Sequence, residues 1–197
     1  MKLKRAFYTK DLLTVAKELL GKVLVKVEGD KMFSGRIVEV EAYDGSTDQA
    51  AHTYIGKTKR NEVMFNEGGY LYVYLSYGVH YCCNVVTGIE GSGTAILIRG
   101  VEPMLGVNRM IKNRFSKKIL SEKELYQLTN GPGKVCKSFG INKNHSGIDL
   151  TGDRIYLEDS MLKKNEEICV SKRIGITKSV HLPWRYFIKN NPYLSRK

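Results

Sequence analysis

The chain has 197 residues, 42% hydrophobic and 26% charged, the composition of a folded, water-soluble protein rather than a disordered one. Its net charge of +12 puts acidic partners, nucleic acid first, ahead of neutral small molecules. Cys82, Cys83, Cys136 and Cys169 match no zinc spacing, no run of ~18 apolar residues spans a membrane, and Asp11, Lys17 and Glu18 break any signal-like stretch. These features point to reduced thiols, no metal or other cofactor, and a cytoplasmic protein, nucleoid-associated in a prokaryote.

In chain order, residues 10–21 read as an amphipathic helix carrying Leu12, Leu13, Ala16, Leu19 and Leu20, with Gly21 as its stop. Strands follow at 23–27 and 35–43, separated by the turn Glu28-Gly-Asp-Lys31. Alternation in the second places Ile37, Glu39, Glu41 and Tyr43 on one face and Val38, Val40 and Ala42 on the other. Residues 44–67 form a loop long enough to be functional or mobile. Further strands are expected at 70–76, 80–87 and 94–101.

Five of the twelve tyrosines fall between Tyr70 and Tyr81. Tyr70, Tyr72 and Tyr74 alternate with Leu71, Val73 and Leu75, so one strand face is aliphatic and buried and the other is a row of flat rings. Tyr77-Gly78 reads as the bend of a hairpin. Flat rings on a basic protein suit nucleic-acid bases, whose faces stack on aromatics while phosphates meet cations. Glu102-Pro103 is expected to end the strand before it. Residues 105–127 then read as mostly helical, with Arg109, Lys112, Arg114, Lys117 and Lys118 on a largely solvated face. Pro132 lies near the first turn of another helix. Residues 153–189 read as strands and turns. The economical architecture is one α+β domain over residues 1–197.

Glu41 is the first candidate for chemistry, because a strand-end carboxylate beside aromatics suits a general base. Glu39 shares its face, and periodicity does not choose between them. His52 has no partner at metal-binding spacing. Arg99 ends an apolar run and reads as an ion-pair partner or a site residue. Asn84 and Arg60-Asn61 sit near strand boundaries. Gly131-Pro-Gly-Lys134 is not a P-loop, though such a turn offers free backbone N–H groups to a phosphate.

Taken in order, the segments Gly35-Arg-Ile-Val-Glu-Val-Glu-Ala-Tyr-Asp-Gly45, Asp48-Gln-Ala-Ala-His52, Arg60-Asn61, Leu71-Tyr-Val-Tyr-Leu-Ser-Tyr-Gly-Val-His-Tyr-Cys-Cys-Asn-Val85, Leu97-Ile-Arg-Gly-Val-Glu-Pro103, Leu128-Thr-Asn-Gly-Pro-Gly-Lys134, Arg173-Ile-Gly-Ile176 and Pro183-Trp-Arg-Tyr-Phe187 resemble the alkyladenine (3-methyladenine) DNA glycosylase family. Lys59, the Glu67-Gly-Gly-Tyr70 turn and Val79 depart from the family pattern. The resemblance implies a mixed α+β domain with a curved, largely antiparallel sheet, flanking helices and a protruding β-hairpin. It implies a monofunctional base-excision repair enzyme that flips alkylated or deaminated purines out of double-stranded DNA and hydrolyses their N-glycosidic bond. By position, Glu41 would activate water and Arg99 would help hold it, with a backbone carbonyl of residues 173–176. Tyr43 would stack on one side of the flipped base, with His52 and Tyr74 on the other. Asn84 would reject the exocyclic amino group of guanine, Tyr77 would enter the duplex, and Tyr72 and Lys134 would lie at the DNA. A monomer suits such a searching enzyme. The rival reading is a non-catalytic nucleic-acid binding module with the same basic, tyrosine-rich surface; release of free base separates the two.

Overall fold

Residues 1–115 and 120–196 are described by a computed structural model; the expected basic positions Lys117 and Lys118 lie outside them. Two short helices open the chain, α1 (Arg5–Tyr8) and α2 (Leu12–Glu18). The periodicity locates α2 and misses α1. Asp11, expected inside the helix, caps it instead: its carboxylate accepts the Thr14 N–H at 2.9 Å. Leu12, Val15 and Ala16 face the core.

Strands β1 (Val23–Glu28) and β2 (Lys31–Asp44) form the first hairpin, and β3 (Tyr70–Ser76) and β4 (His80–Thr87) the second. Then come β5 (Thr94–Leu105), α3 (Val107–Arg114), α4 (Glu122–Tyr126), α5 (Pro132–Phe139), β6 (Ile148–Asp149), β7 (Ile155–Glu158), β8 (Ile168–Ser171) and β9 (Arg185–Ile188). The sheet order is β6-β3-β4-β5-β2-β1-β7, with β9 joining the second half of β2 and β8 joining β9. Every strand pairing described is antiparallel. This is the curved, mixed α+β architecture expected. Among the described residues no helix is long and apolar enough to cross a membrane, and the four cysteines form no disulfide.

Three strand expectations are corrected. The register between β2 and β5 shifts between Ile37 and Glu39. A bulge there lets Ile37 and Val38 both enter the main core, so Ile37 is not on the face of Glu39 and Glu41. The strand after Thr94 does not end at Glu102-Pro103 but runs on to Leu105, Pro103 falling beside a second register shift where no ladder donor is needed. Finally, Leu75 is exposed although it belongs to the aliphatic face, because the hairpin tip projects past the core.

The two sheet faces pack differently. Helix α2, α3 and α5 residues cover one with the main core. The tyrosine face carries a smaller cluster of Met64, Tyr72, Val86 and Ala95, with Val63, Tyr70 and Tyr74 against it. The long 44–67 loop lies here and is tied down. Asn61 donates to the carbonyls of His52 (2.8 Å) and Gly56 (2.9 Å), and its own side-chain oxygen accepts the Thr58 N–H at 2.6 Å. On the other side of the sheet, Lys26 is buried and donates to the Phe139 and Gly140 carbonyls, both at 3.1 Å. A buried ammonium thereby closes the C-terminus of α5, fixing the helix whose first residue, Pro132, reaches the cavity described next.

Candidate active site

Between the tyrosine face of the sheet, the 44–67 loop and residues 174–178 lies a cavity of about 700 Å³. Tyr43, His52, Tyr72, Tyr74, Asn84 and Arg99 all line it, as does Tyr77 at its edge. Residues singled out from the sequence, scattered over β2, the loop, β3, β4 and β5, are thus brought to one place.

Glu41 lies behind this wall and is fully buried. Three donors converge on it: the Tyr43 hydroxyl (2.9 Å) and Arg99 Nη1 (3.1 Å) on Oε2, and the Ile174 N–H (2.7 Å) on Oε1. All three donor residues line the cavity. Burial pushes the Glu41 carboxyl above its ordinary range; Arg99, the Ile174 N–H and Tyr43 pull it back, and Glu39 adds a smaller upward push. Tyr43 is raised well above the ordinary phenol by burial and by Glu41, so it stays a donor. From the 173–176 segment, it is the Ile174 N–H that faces Glu41.

Tyr43 is itself clamped from behind. The Arg173 guanidinium lies 4.6 Å from its ring centroid and 5.4 Å from that of Trp184. Arg173 is held by Asp48, through Nη1 and through Nη2 at 2.8 Å, and by the Ala42 carbonyl at 2.9 Å. Both side chains are completely buried. Neither was picked out as a functional candidate from sequence. Their 125-residue separation hides the pair, and the only local signal is a charge inside each matched segment.

His52 presents its ring to the face built by Tyr72 and Tyr74. It meets Tyr74 edge-on at 4.5 Å, and its Nδ1 lies 3.1 Å from the Tyr72 hydroxyl. Tyr72 and Tyr74 stack on each other at 5.5 Å. Burial, then the nearby Arg60, lowers the His52 pKa, which keeps the imidazole neutral at pH 7. Tyr43, His52, Tyr72 and Tyr74 all line the cavity, and among the described residues no ring contact joins Tyr43 to the other three. Arg60 stands at the rim, 5.6 Å from the Tyr74 ring centroid and 3.3 Å from the Leu75 carbonyl. Asn84 donates to the Tyr72 carbonyl at 3.2 Å. Cys82 also lines the cavity, and burial pushes its thiol up to about 11, away from reactive thiolate.

Tyr72, expected at the DNA, is only 1% exposed and packs under His52 and Tyr74. Tyr77 is the opposite case, 89% exposed at the hairpin tip. Its φ of 49° and that of Gly78 at 68° give a turn with two successive left-handed residues, closed by Val79 N–H to the Ser76 carbonyl at 3.1 Å. Glycine accepts that backbone freely and tyrosine does not. Lys134 is half-buried outside the cavity lining, donates to Asn130 Oδ1 at 2.7 Å, and has its pKa lowered by burial and by Arg114. Among the described residues no group of three His, Cys, Asp or Glu side chains could hold a metal ion.

Residues 6–192 match the family model described as methylpurine-DNA glycosylase (MPG). Over the whole chain, the sequence is 48% identical to a protein of Alkaliphilus oremlandii, across 204 aligned residues and all of that protein. It is 46% identical to one of Desulfitobacterium hafniense, covering 99% of it, and 46% identical to one of Carboxydothermus hydrogenoformans, covering all of it. Each of these relatives is named as a candidate 3-methyladenine DNA glycosylase.

Proposed function

The chain belongs to the methylpurine-DNA glycosylase family, and we propose that it removes alkylated or deaminated purines from double-stranded DNA, hydrolysing the N-glycosidic bond of a flipped-out nucleotide without nicking the strand. The whole chain acts as one glycosylase domain, as a monomer, in DNA base-excision repair.

The single observation that carries this reading is a buried carboxylate set behind the wall of an aromatic cavity open to the surface. Extruding a nucleotide costs a few kcal/mol, less for a poorly paired lesion. Tyr77, exposed and held outward by its turn, fills the vacated place in the stack. The purine enters between Tyr43 and the His52–Tyr74 wall, where stacking contributes ~1–3 kcal/mol. A cationic alkylpurine gains further from the ring faces, and a neutral His52 does not repel it. Asn84 stands at the base edge, where an exocyclic amino group of guanine would clash. Tyr72 supports His52, and Lys134 with the N-terminus of α5 meets a phosphate.

Bond cleavage builds positive charge on the sugar, which the Glu41 carboxylate stabilises. A carboxylate offers roughly four lone-pair directions. Three are taken by Tyr43, Arg99 and Ile174, leaving one for water. That water adds to C1′, its proton passes to Glu41, and the bond's electron pair leaves with the purine nitrogen.

The test is release of free base from duplexes carrying single 3-methyladenine, 7-methylguanine, hypoxanthine or ethenoadenine lesions, for the wild type and for Glu41→Gln. Lesion-dependent release by the wild type that Glu41→Gln abolishes, with DNA binding retained, supports the reading. Binding to lesion DNA without release by the wild type means a binding module instead.

A further inference from the structure

The matched family segment ends at residue 192, yet the next few residues enter the buried centre of the protein. We infer that Ser195 is a positioning residue: its hydroxyl stops the Arg99 guanidinium from closing a two-pronged pair with Glu39 and so keeps it on Glu41.

The contacts are specific. Arg99 is shared between two carboxylates, Nη1 going to Glu41 at 3.1 Å and Nε to Glu39 Oε1 at 3.3 Å. A guanidinium prefers to give one carboxylate two parallel N–H bonds. The edge that would do this toward Glu39 carries Nε and Nη2. Ser195 Oγ occupies that edge, accepting from Nε at 3.3 Å and from Nη2 at 3.2 Å. The same hydroxyl donates to Glu39 Oε1 at 2.7 Å, and the Ser195 N–H donates to Glu39 Oε2 at 2.5 Å. Arg185 Nε completes the shell of Glu39 at 2.7 Å. With Glu39 satisfied on both oxygens, Nη1 is left for Glu41.

The segment reaches this place because nothing stands in its way. Leu194 is buried in the main core, and the Tyr193 N–H is fixed to Asn191 Oδ1 at 3.0 Å. Gly100, directly after Arg99, lacks a Cβ that would otherwise lie 2.7 Å from the Tyr193 carbonyl and 3.2 Å from Glu39 Cβ.

Removing the Ser195 hydroxyl leaves Nη2 without its acceptor and Glu39 Oε1 short of a donor. Both defects are mended by forming the Nε/Nη2 fork on Glu39, which swings Nη1 off Glu41. The charged and titratable groups facing Glu41 are Tyr43 and Glu39 from β2, Arg99 from β5 and the Ile174 N–H; Arg185 from β9 faces Glu39, and Arg173 lies behind Tyr43. Arg99 is the one group among them that Ser195 touches and that favours the ionised form of Glu41.

The experiment is a carbon-detected NMR titration of the Glu41 carboxyl in DNA-free protein, assigned with Glu41→Gln, for the wild type, Ser195→Ala, Ser195→Thr and Ser171→Ala. Ser171 accepts from Arg185 at 3.0 Å but touches neither Arg99 nor Glu41, so it controls for general loosening of the cluster. The expected result is a midpoint raised by about one pH unit in Ser195→Ala, the scale of a lost ion contact. It should be restored in Ser195→Thr and unmoved in Ser171→Ala. An unchanged midpoint in Ser195→Ala, or an equal shift in Ser171→Ala, overturns the inference. If alanine at 195 prevents folding, Ser195→Cys keeps the volume with a weaker donor and acceptor and is read the same way. The catalytic consequence rests on Glu41 acting as the base: the acid limb of kcat/KM should then move with the midpoint. A midpoint that moves while the limb stays would uphold Ser195 and sink that reading of Glu41.

Discussion

Glu39 and Glu41 stand on one face of one strand, both fully buried, in opposite settings. Glu39 is enclosed by Arg185, Arg99 and Ser195, and neither Arg185 nor Ser195 lines the cavity. The residues that hold Glu41 all line it. A buried carboxylate held by two arginines, a hydroxyl and a backbone N–H is an anchor, because those bonds cannot be given up without a large cost. One whose donors sit at a cavity wall, with a lone-pair direction left over, is available for chemistry. What separates them is the group that bonds each carboxylate: Arg185 and the C-terminal segment for Glu39, the 174–178 segment for Glu41.

The largest expected effect tests this division directly. Glu41→Gln should lower single-turnover base release by about 10³-fold, within the usual span for losing a general base, while the melting temperature changes little. The charge left on Arg99 can be hydrated from the cavity, which it lines. Glu39→Gln should do the reverse. It leaves the Arg185 guanidinium, which does not line the cavity, without its buried carboxylate, a loss of about 3–5 kcal/mol of stability, measurable by urea unfolding. Equal melting temperatures for the two variants would break the distinction.

Next in size is Tyr43→Phe, which deletes one donor to Glu41 and leaves the stacking ring. Burial already raises the Glu41 carboxyl, and the lost hydrogen bond raises it further. Base action needs the ionised form, so the acid limb of kcat/KM should move to higher pH while the plateau is kept. A limb that moves down, or not at all, would remove Tyr43 from the control of ionisation. The smallest effect is at the hairpin tip. Tyr77→Gly should leave stability equal or raise it by up to about 1 kcal/mol, since glycine relieves the left-handed strain. It should nonetheless weaken retention of the extruded base, seen as a lower 2-aminopurine fluorescence next to a lesion. A destabilised Tyr77→Gly would show that the tyrosine packs rather than projects.

Much of the sheet was legible because its signals are local. The 70–76 and 80–87 strands follow from period-two alternation, and the bend between them from Gly78, a residue that tolerates a positive φ. Where alternation failed, at Ile37, an extra residue had been inserted by a bulge, which leaves no mark in a single sequence. Pro103 misled for a related reason: a proline ends a strand only when its missing N–H is needed by the ladder. The row of tyrosines was visible, but not that Tyr72 would be covered while Tyr77 stood free.

What the sequence determined alone was the repertoire: a basic chain, a tyrosine-rich hairpin, two carboxylates on one strand face, and an arginine ending an apolar run in a neighbouring strand. The choice among them was tertiary. Asp48 reaches Arg173 across 125 residues and Glu39 reaches Ser195 across 156, and these contacts decide which ring is clamped and which carboxylate is saturated. Secondary structure is set by neighbours along the chain. The ionisation and accessibility of a buried group are set by neighbours in space, and only the closed fold supplies those.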